Sequence, residues 1–410
     1  MASFTVPRAE NGATGVDDIS ARWSAVYAMA LCSFVLVASE FMPVSLLSPI
    51  ARTLHLTEGQ AGQAIAISGV FAVVTSLSLG AVLGRLDRRT VLLALTGLLV
   101  VSGGIVALAP TYLIFMMGRA LLGVAIGGFW SMSTAIAMRL VPNAAVPKAL
   151  SIVNGGNALA TVVAAPLGSF LGSLIGWRGA FFCVVPVAVG AILWQAMTLP
   201  PLPVAERQSA RGMVALLRRP PLLFGLVTVA LLFAGQFALF TYLRPFLEQV
   251  THVGPAMLSV MLLILGVSGF VGTVLIGRVL NDGLHLILAV LPALMAATAV
   301  ALTIFGTSPV AVALLLAVWG FAGTSAPVAW WTWLARTVPE EAEAGGGLMV
   351  AIVQLAITLG ATVGGIVFDT AGANAEFLAS AAILGLAAVA AYAVGRMPAP
   401  ATPNRSAATA

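Results

Sequence analysis

Long apolar stretches separated by short polar intervals run through the whole chain. Twelve can be read: Trp23–Leu47, Gly59–Leu83, Val91–Ala109, Thr111–Met138, Ala149–Leu171, Ala180–Met197, Leu222–Leu243, Ala256–Ile276, Leu284–Phe305, Val310–Leu334, Gly347–Phe368 and Phe377–Val394. About 20 apolar residues cross the hydrocarbon core of a bilayer as a helix. Only helices and closed barrels satisfy the backbone in lipid, and these stretches lack the period-two alternation of barrel strands. The pattern predicts an all-α membrane protein with twelve transmembrane helices. The longest polar interruption, Leu199–Pro221, holds Glu206, Arg207, Arg211, Arg218 and Arg219. It divides the chain into a tail (1–22), a six-helix bundle (23–198), a linker (199–221), a second six-helix bundle (222–395) and a short tail (396–410).

The two halves echo each other. "GRLD" at Gly84–Asp87 closes the second span and "GRVLND" at Gly277–Asp282 closes the eighth. "GGFW" at Gly127–Trp130 and "WGFA" at Trp319–Ala322 stand at nearly the same offset. Such weak internal likeness is what parallel repeats of a transporter leave in sequence, so the two bundles are expected to be pseudo-symmetric.

Composition narrows the class. The chain of 410 residues is 60% hydrophobic and 8% charged, where a soluble domain carries about 25% charged residues. A soluble enzyme, a disulfide-built secreted domain and a nucleic-acid binder are disfavoured. Cys32 and Cys183 lie in apolar segments and are expected to be buried thiols. The first 22 residues are polar and carry Glu10, Asp17 and Asp18, unlike a secretory signal, so the first span is expected to be retained.

The net charge of +5 is explained by placement. With the N-terminus in the cytoplasm, fifteen of the nineteen basic residues fall on the cytoplasmic side. Arg52, Arg178 and Arg244 fall outside, and Arg119 falls within a span. Positive residues favour the cytoplasmic face, which puts both termini there.

Glu40 in the first span and Arg119 in the fourth are ionisable groups inside the membrane, costly and functional by default. Glu40 lies seven residues from the outer end of its span and Arg119 eight, depths of about 10 and 12 Å at 1.5 Å per residue. They are expected to meet across a shared cavity. Glu40 is either a proton carrier, loaded and unloaded as each side opens, or half of a structural ion pair. Asn154, Asn157, Gln236, Tyr242 and Gln354 either bind a polar substrate or cross-link helices. Trp130, Trp330 and Trp331 offer stacking faces or anchor their helices at the interface, and Trp331 and Trp333 are expected to be anchors or packing. Pro43, Pro166 and Pro327 mark bending points, and Gly168 with Gly172 a close helix contact.

No catalytic or metal-ligating group of residues is visible. His55, His252 and His285 are scattered through connections. The single lysine, Lys148, lacks a phosphate-binding glycine run, which speaks against an ATP-driven pump. Neither an enzyme nor a cofactor is expected.

These features resemble the major facilitator superfamily across essentially the whole chain. "GRALLG" at Gly118–Gly123 is similar to the family's fourth-span motif, with Arg119 as its buried arginine. "GWRGAF" at Gly176–Phe181 resembles the start of the sixth span. "AAPLGSFLG" at Ala164–Gly172 resembles the fifth-span motif of drug and metabolite antiporters, one residue short between proline and glycine. The loop after the second span resembles the family's gating loop, with Gly80 first and Arg85, Arg88 and Arg89 at its basic positions. Gly84 stands where that loop usually has aspartate and Asp87 where it usually has glycine, which leaves open whether Asp87 replaces the gating aspartate. "EFMPVSLLSP" at Glu40–Pro49, "GGFWSMS" at Gly127–Ser133, "MRLVPNAAVPKALS" at Met138–Ser151 and "GQFALFTYLRP" at Gly235–Pro245 resemble the proton-coupled exporters of purine ribonucleosides within its drug:H+ antiporter-1 branch.

The resemblance implies a monomeric, multi-pass protein of the bacterial inner membrane. It would exchange purine nucleosides of the inosine or guanosine type for protons by alternating access. Protons, the small-molecule substrate and the lipid bilayer are then its partners, and nucleic acid is not. Glu40 and Arg119 would couple protons; Trp130, Asn157, Gln236, Tyr242, Trp330 and Gln354 would bind substrate. Export of sugars or drugs on the same fold remains open, as does a transport-like membrane sensor.

Overall fold

The computed structural model describes residues 21–82, 86–142, 145–203, 216–338 and 342–396. Most of the central linker, both outer tails and Arg85 of the expected gating loop lie outside the described residues. Among the described residues, ten helices follow one another: α1 Trp23–Leu54, α2 Glu58–Val82, α3 Arg88–Leu108, α4 Tyr112–Leu140, α5 Val146–Thr198, α6 Pro220–Gln249, α7 Pro255–Phe305, α8 Pro309–Thr337, α9 Ala342–Ala371 and α10 Ala373–Val394. Among the described residues, eleven helical segments are long and apolar enough to cross a membrane, α7 supplying two of them.

Two expected loops are helix junctions. Gly176 interrupts α5 with φ 73°, a left-handed conformation open to glycine at no steric cost. Gly283 interrupts α7, and His285 follows inside the helix rather than in a connection. α5 has 53 residues, about 80 Å at 1.5 Å per residue, and so has length for a crossing on either side of Gly176.

Helix ends follow from local chemistry. Thr57 and Gln60 form a reciprocal capping box at the start of α2: Gln60 N donates to Thr57 Oγ1 and Thr57 N to Gln60 Oε1, each at 3.0 Å. Asp87 caps α3 by accepting from Arg89 N at 2.7 Å. Prolines open α6, α7 and α8, where the missing N–H costs nothing.

α1 to α5 pack chiefly on one another, as do α6 to α10. Between the halves, α2 meets α9, α5 meets α7 and α1 meets α6. Gly168 and Gly172 of α5 lie against Ser45 and Leu46 of α1, a close helix contact of the expected kind. Gly266 of α7 faces the carbonyl of Val162 on α5, which any side chain there would strike. Cys32 is buried against Thr96, whereas Cys183 is exposed on the outer face of α5. An apolar span does not reveal which of its faces looks outward, so the sequence could not separate the two thiols.

Candidate functional site

α1 is mostly buried, and its sequence carries Pro43 and Pro49 within the helix. A proline removes one i→i−4 hydrogen bond, so the carbonyls of Ser39 and Ser45 lose their helical donors. In lipid such a group must find another partner. Arg119 Nη1 from α4 donates to the Ser39 carbonyl at 2.6 Å, and Arg244 Nη1 from α6 donates to the Ser45 carbonyl. The same arrangement recurs in the second half. Pro327 frees the carbonyl of Gly323 on α8, and Gln236 Nε2 from α6 donates to it at 3.2 Å. Two buried arginines and the half-buried Gln236 thus complete helices that proline has broken.

Arg119 is fully buried and donates further to the carbonyls of Ala64 at 2.9 Å and Glu40 at 3.1 Å. The structure therefore brings Arg119 and Glu40 together, but through the α1 backbone. The Glu40 side chain, 5% exposed, turns to the other half of the molecule, where Oε1 accepts from Gln354 Nε2 of α9 at 3.2 Å.

The other candidates are distributed. Tyr242 is fully buried, donates to the Ala361 carbonyl at 2.8 Å and stacks on Phe368, so it packs α6 on α9 in this state. Trp330 is buried edge-on to Trp333, and its indole N–H has no partner. Trp130 is half-buried, edge-on to Phe129. Asn157 is half-buried on α5, and its carbonyl accepts from Thr161. The side-chain carbonyls of Gln236 and Gln354 are buried without a donor. Gln236, Trp330 and Gln354 thus hold two orphan acceptors and one orphan donor, groups that a hydrogen-bonding ligand can satisfy at no desolvation cost of their own.

At the expected gating loop, Gly80 lies in the last turns of α2. Asp87, besides capping α3, accepts from Leu202 N at 2.9 Å. Arg88 N donates to the Leu202 carbonyl at 2.9 Å, and Arg89 Nη2 to that of Ala196 at 2.7 Å. Asp87, Arg88 and Arg89 therefore tie the start of α3 to the end of α5.

Several residues escaped the sequence reading. The hydropathy pattern ends the seventh span before Arg244, but α6 continues to Gln249 and buries it. Arg244 Nε pairs with Glu248 at 2.8 Å, and Glu248 with Arg52 of α1 at 2.8 Å, so this network crosses between the halves. A cavity of about 660 Å³ opens beside it, lined by Pro49, Arg52, Trp177, Arg244 and Glu248 among others. Asp369 at the end of α9 accepts from Thr57 Oγ1 at 2.6 Å and Gly59 N at 2.9 Å, capping α2 from the opposite half. Glu376, just before the expected twelfth span, lies in the first turn of α10, fully buried with both carboxyl oxygens unpartnered. Phe41 of α1 packs between Phe237 and Phe240 of α6. The polar contacts between the halves, those of Arg52, Thr57 and Gly59 with Glu248 and Asp369, gather at the end of the molecule that holds the 55–57 turn, and the Phe41 contact lies deeper.

Comparison with known proteins agrees with this architecture. The family description of the Major Facilitator Superfamily matches residues 29–356. The chain is 58% identical over 386 residues to the transcription regulatory protein OpdE of Pseudomonas aeruginosa, covering 93% of this chain and 96% of that one. It is 40% identical over 367 residues to the purine ribonucleoside efflux pump NepI of Salmonella paratyphi B, covering 90% and 92%. Among solved structures it resembles a bacterial homologue of the human lysosomal transporter Spinster, with a TM-score of 0.74 at 15% identity over 93% of this chain and 98% of that one. It also resembles the nucleoside transporter NupG, with a TM-score of 0.73 at 17% identity over 90% and 98%. At such identities these two likenesses speak for the fold alone. The chain belongs to the Major Facilitator Superfamily, a family of transporters rather than enzymes, and is a multi-pass inner-membrane protein.

Proposed function

We propose that the chain exports purine ribonucleosides of the inosine or guanosine type in exchange for protons. The observation that carries this reading is the 40% identity to a purine ribonucleoside efflux pump over nine-tenths of both chains. We read the fold as twelve crossings in two pseudo-symmetric six-helix bundles, residues 23–198 and 222–395, that rock about a midplane site. With the termini cytoplasmic, the 55–57 turn faces outward, and the contacts gathered there correspond to an inward-facing state.

In the cycle, Glu40 takes a proton when the outer side opens and releases it when the inner side opens. Arg119 holds the backbone that carries Glu40, so the carboxyl keeps its depth while its side chain remains free to change partners. Trp130 or Trp330 stacks on the flat base; Asn157, Gln236 and Gln354 take the base or ribose by hydrogen bonds; Tyr242 braces α6 against α9. One proton moving down 100 mV supplies roughly 2.3 kcal/mol, enough for a cargo gradient of about 50-fold.

The identity of 58% to a protein named as a transcription regulator favours a second reading, a membrane sensor whose fold resembles a transporter. Proteoliposomes with an imposed pH gradient, offered inosine, guanosine, a sugar and a lipophilic drug, decide between them. Proton-driven accumulation of the purines is expected. Accumulation of the sugar or drug alone would reassign the cargo, and no flux of any of them would favour the sensor.

A further inference from the structure

The face of α9 turned towards α1 and α2 carries a polar group at nearly every fourth residue, so that successive turns present one to the same side. Gln354 Nε2 donates to Glu40 Oε1 at 3.2 Å. Thr358 Oγ1 lies 3.3 Å from the carbonyl of Ala66. Thr362 Oγ1 meets Gln63 Oε1 at 3.1 Å. Asp369 takes Thr57 Oγ1 at 2.6 Å and Gly59 N at 2.9 Å. Every rung joins the first half of the chain to the second. Polar rungs exchange for water at a small net cost, unlike interlocked apolar side chains, so this seam is built to part.

One rung differs from its neighbours, because Glu40 is an ionisable group inside a span. A hydrogen bond to a carboxylate is about twice as strong as one between neutral groups. Protonation of Glu40 would weaken this rung. It would also give Glu40 an O–H that needs an acceptor, and Gln354 Oε1 is buried on the same amide without a donor. The amide can therefore hold the neutral acid, but less tightly than it holds the carboxylate.

We infer that Gln354 is the positioning residue that passes the proton occupancy of Glu40 to the α2–α9 seam, holding the seam shut over the carboxylate and loosening it over the acid. This rests on the proton-coupled reading above and adds the route by which the proton acts on the halves. Other charged groups surround the route. Arg119 from α4 is bonded to the α1 backbone. Glu58 on α2 and Asp369 on α9 stand at the far end of the seam; Arg52 on α1 is paired with Glu248, and so is Arg244, on α6. α5 presents Lys148 near Trp23 and Arg178 near Ala109. The test therefore isolates Glu40 from all of these.

Spin labels at His55→Cys on the α1–α2 turn and Thr370→Cys on α9, in a Cys32→Ala, Cys183→Ala background, report the width of the seam by pulsed electron resonance in lipid. No cargo is needed. On passing from alkaline to acid pH, the open population of the otherwise wild-type chain is expected to rise about five- to ten-fold, the gap between a charge-assisted and a neutral bond. Glu40→Gln and Gln354→Met should both flatten the response. Gln354→Glu should reverse it: two carboxylates push the seam apart at high pH, and a shared proton closes it at low pH. The reversal keeps the inference testable if Gln354→Met folds poorly. A response that survives in Glu40→Gln would remove the proton-coupled reading itself. A flat Glu40→Gln beside an unchanged Gln354→Met and an unreversed Gln354→Glu would overturn only the role of Gln354. No response in the wild-type background would overturn it as well.

Discussion

Arg119 occupies the hydrogen-bonding position that Pro43 leaves vacant, with its Nη1 2.6 Å from the Ser39 carbonyl. An intramembrane charge invites a search for a counter-charge, yet this guanidinium is met by three backbone carbonyls, those of Ser39, Glu40 and Ala64. Its first task is to complete a helix that proline has opened and to fix α1 against α2 and α4. The carboxyl of Glu40 is thereby left to the opposite half.

That relationship predicts a coupling. Arg119→Met should destabilise the protein by about 2–4 kcal/mol, because buried carbonyls lose their donors. Pro43→Ala restores an N–H for the Ser39 carbonyl. In that background the loss should shrink by about 1 kcal/mol. Thermal unfolding in detergent of the two single variants and the double variant measures the difference. Strict additivity would show that the proline and the arginine act independently.

Glu40→Gln keeps the shape and the bond to Gln354 but has no proton to exchange. Concentrative export of inosine or guanosine should vanish while downhill exchange of cargo persists. Counterflow measured in vesicles with and without a pH gradient separates the two activities, and uphill accumulation that survives the substitution would assign proton coupling elsewhere.

The two arginines that meet Glu248 should differ in weight. The Arg52 side chain is 71% exposed, and an exposed ion pair contributes at most about 1 kcal/mol. The Arg244 side chain is 7% exposed and serves both Glu248 and the carbonyl that Pro49 frees. Arg52→Ala should cost under about 1 kcal/mol and lose even that in high salt. Arg244→Met should cost about 2–4 kcal/mol with little dependence on salt. Melting curves at low and high ionic strength test both, and equal costs would mean that the carbonyl cap contributes nothing.

Glu376 sits fully buried with neither carboxyl oxygen bonded. An unpartnered buried polar group costs about 1–3 kcal/mol. Glu376→Met, close in length and apolar, should therefore raise the melting temperature by a few degrees. A fall would indicate that the carboxyl is serving a partner in another state of the cycle, and transport by the same variant would then fall with it.

Much of this was legible in the sequence, for a physical reason. A bilayer demands long uninterrupted apolar helices and asymmetric positive charge, so hydropathy and the arrangement of arginines already state that the chain spans a membrane many times. A charge within an apolar span is expensive, so Glu40 and Arg119 announced themselves, and counting residues from the helix ends put them at one depth. The prolines in α1 and α8 were equally plain. What they would require of their neighbours was not, because the residue that fills a vacated hydrogen bond lies on another helix.

The tertiary structure alone decided partnership. Arg244 and Glu376 looked like the polar borders of their spans, since a hydropathy reading ends at a charge, and only the packing of α6 and α10 buries them. Asp369 looked like a loop residue until α9 brought it to the start of α2. The bond between Gln354 and Glu40 joins positions 314 residues apart. Helical periodicity fixes which side chains share a face, but the neighbour that face meets depends on how the helices assemble, and that is set by the fit of many small contacts spread along the whole chain.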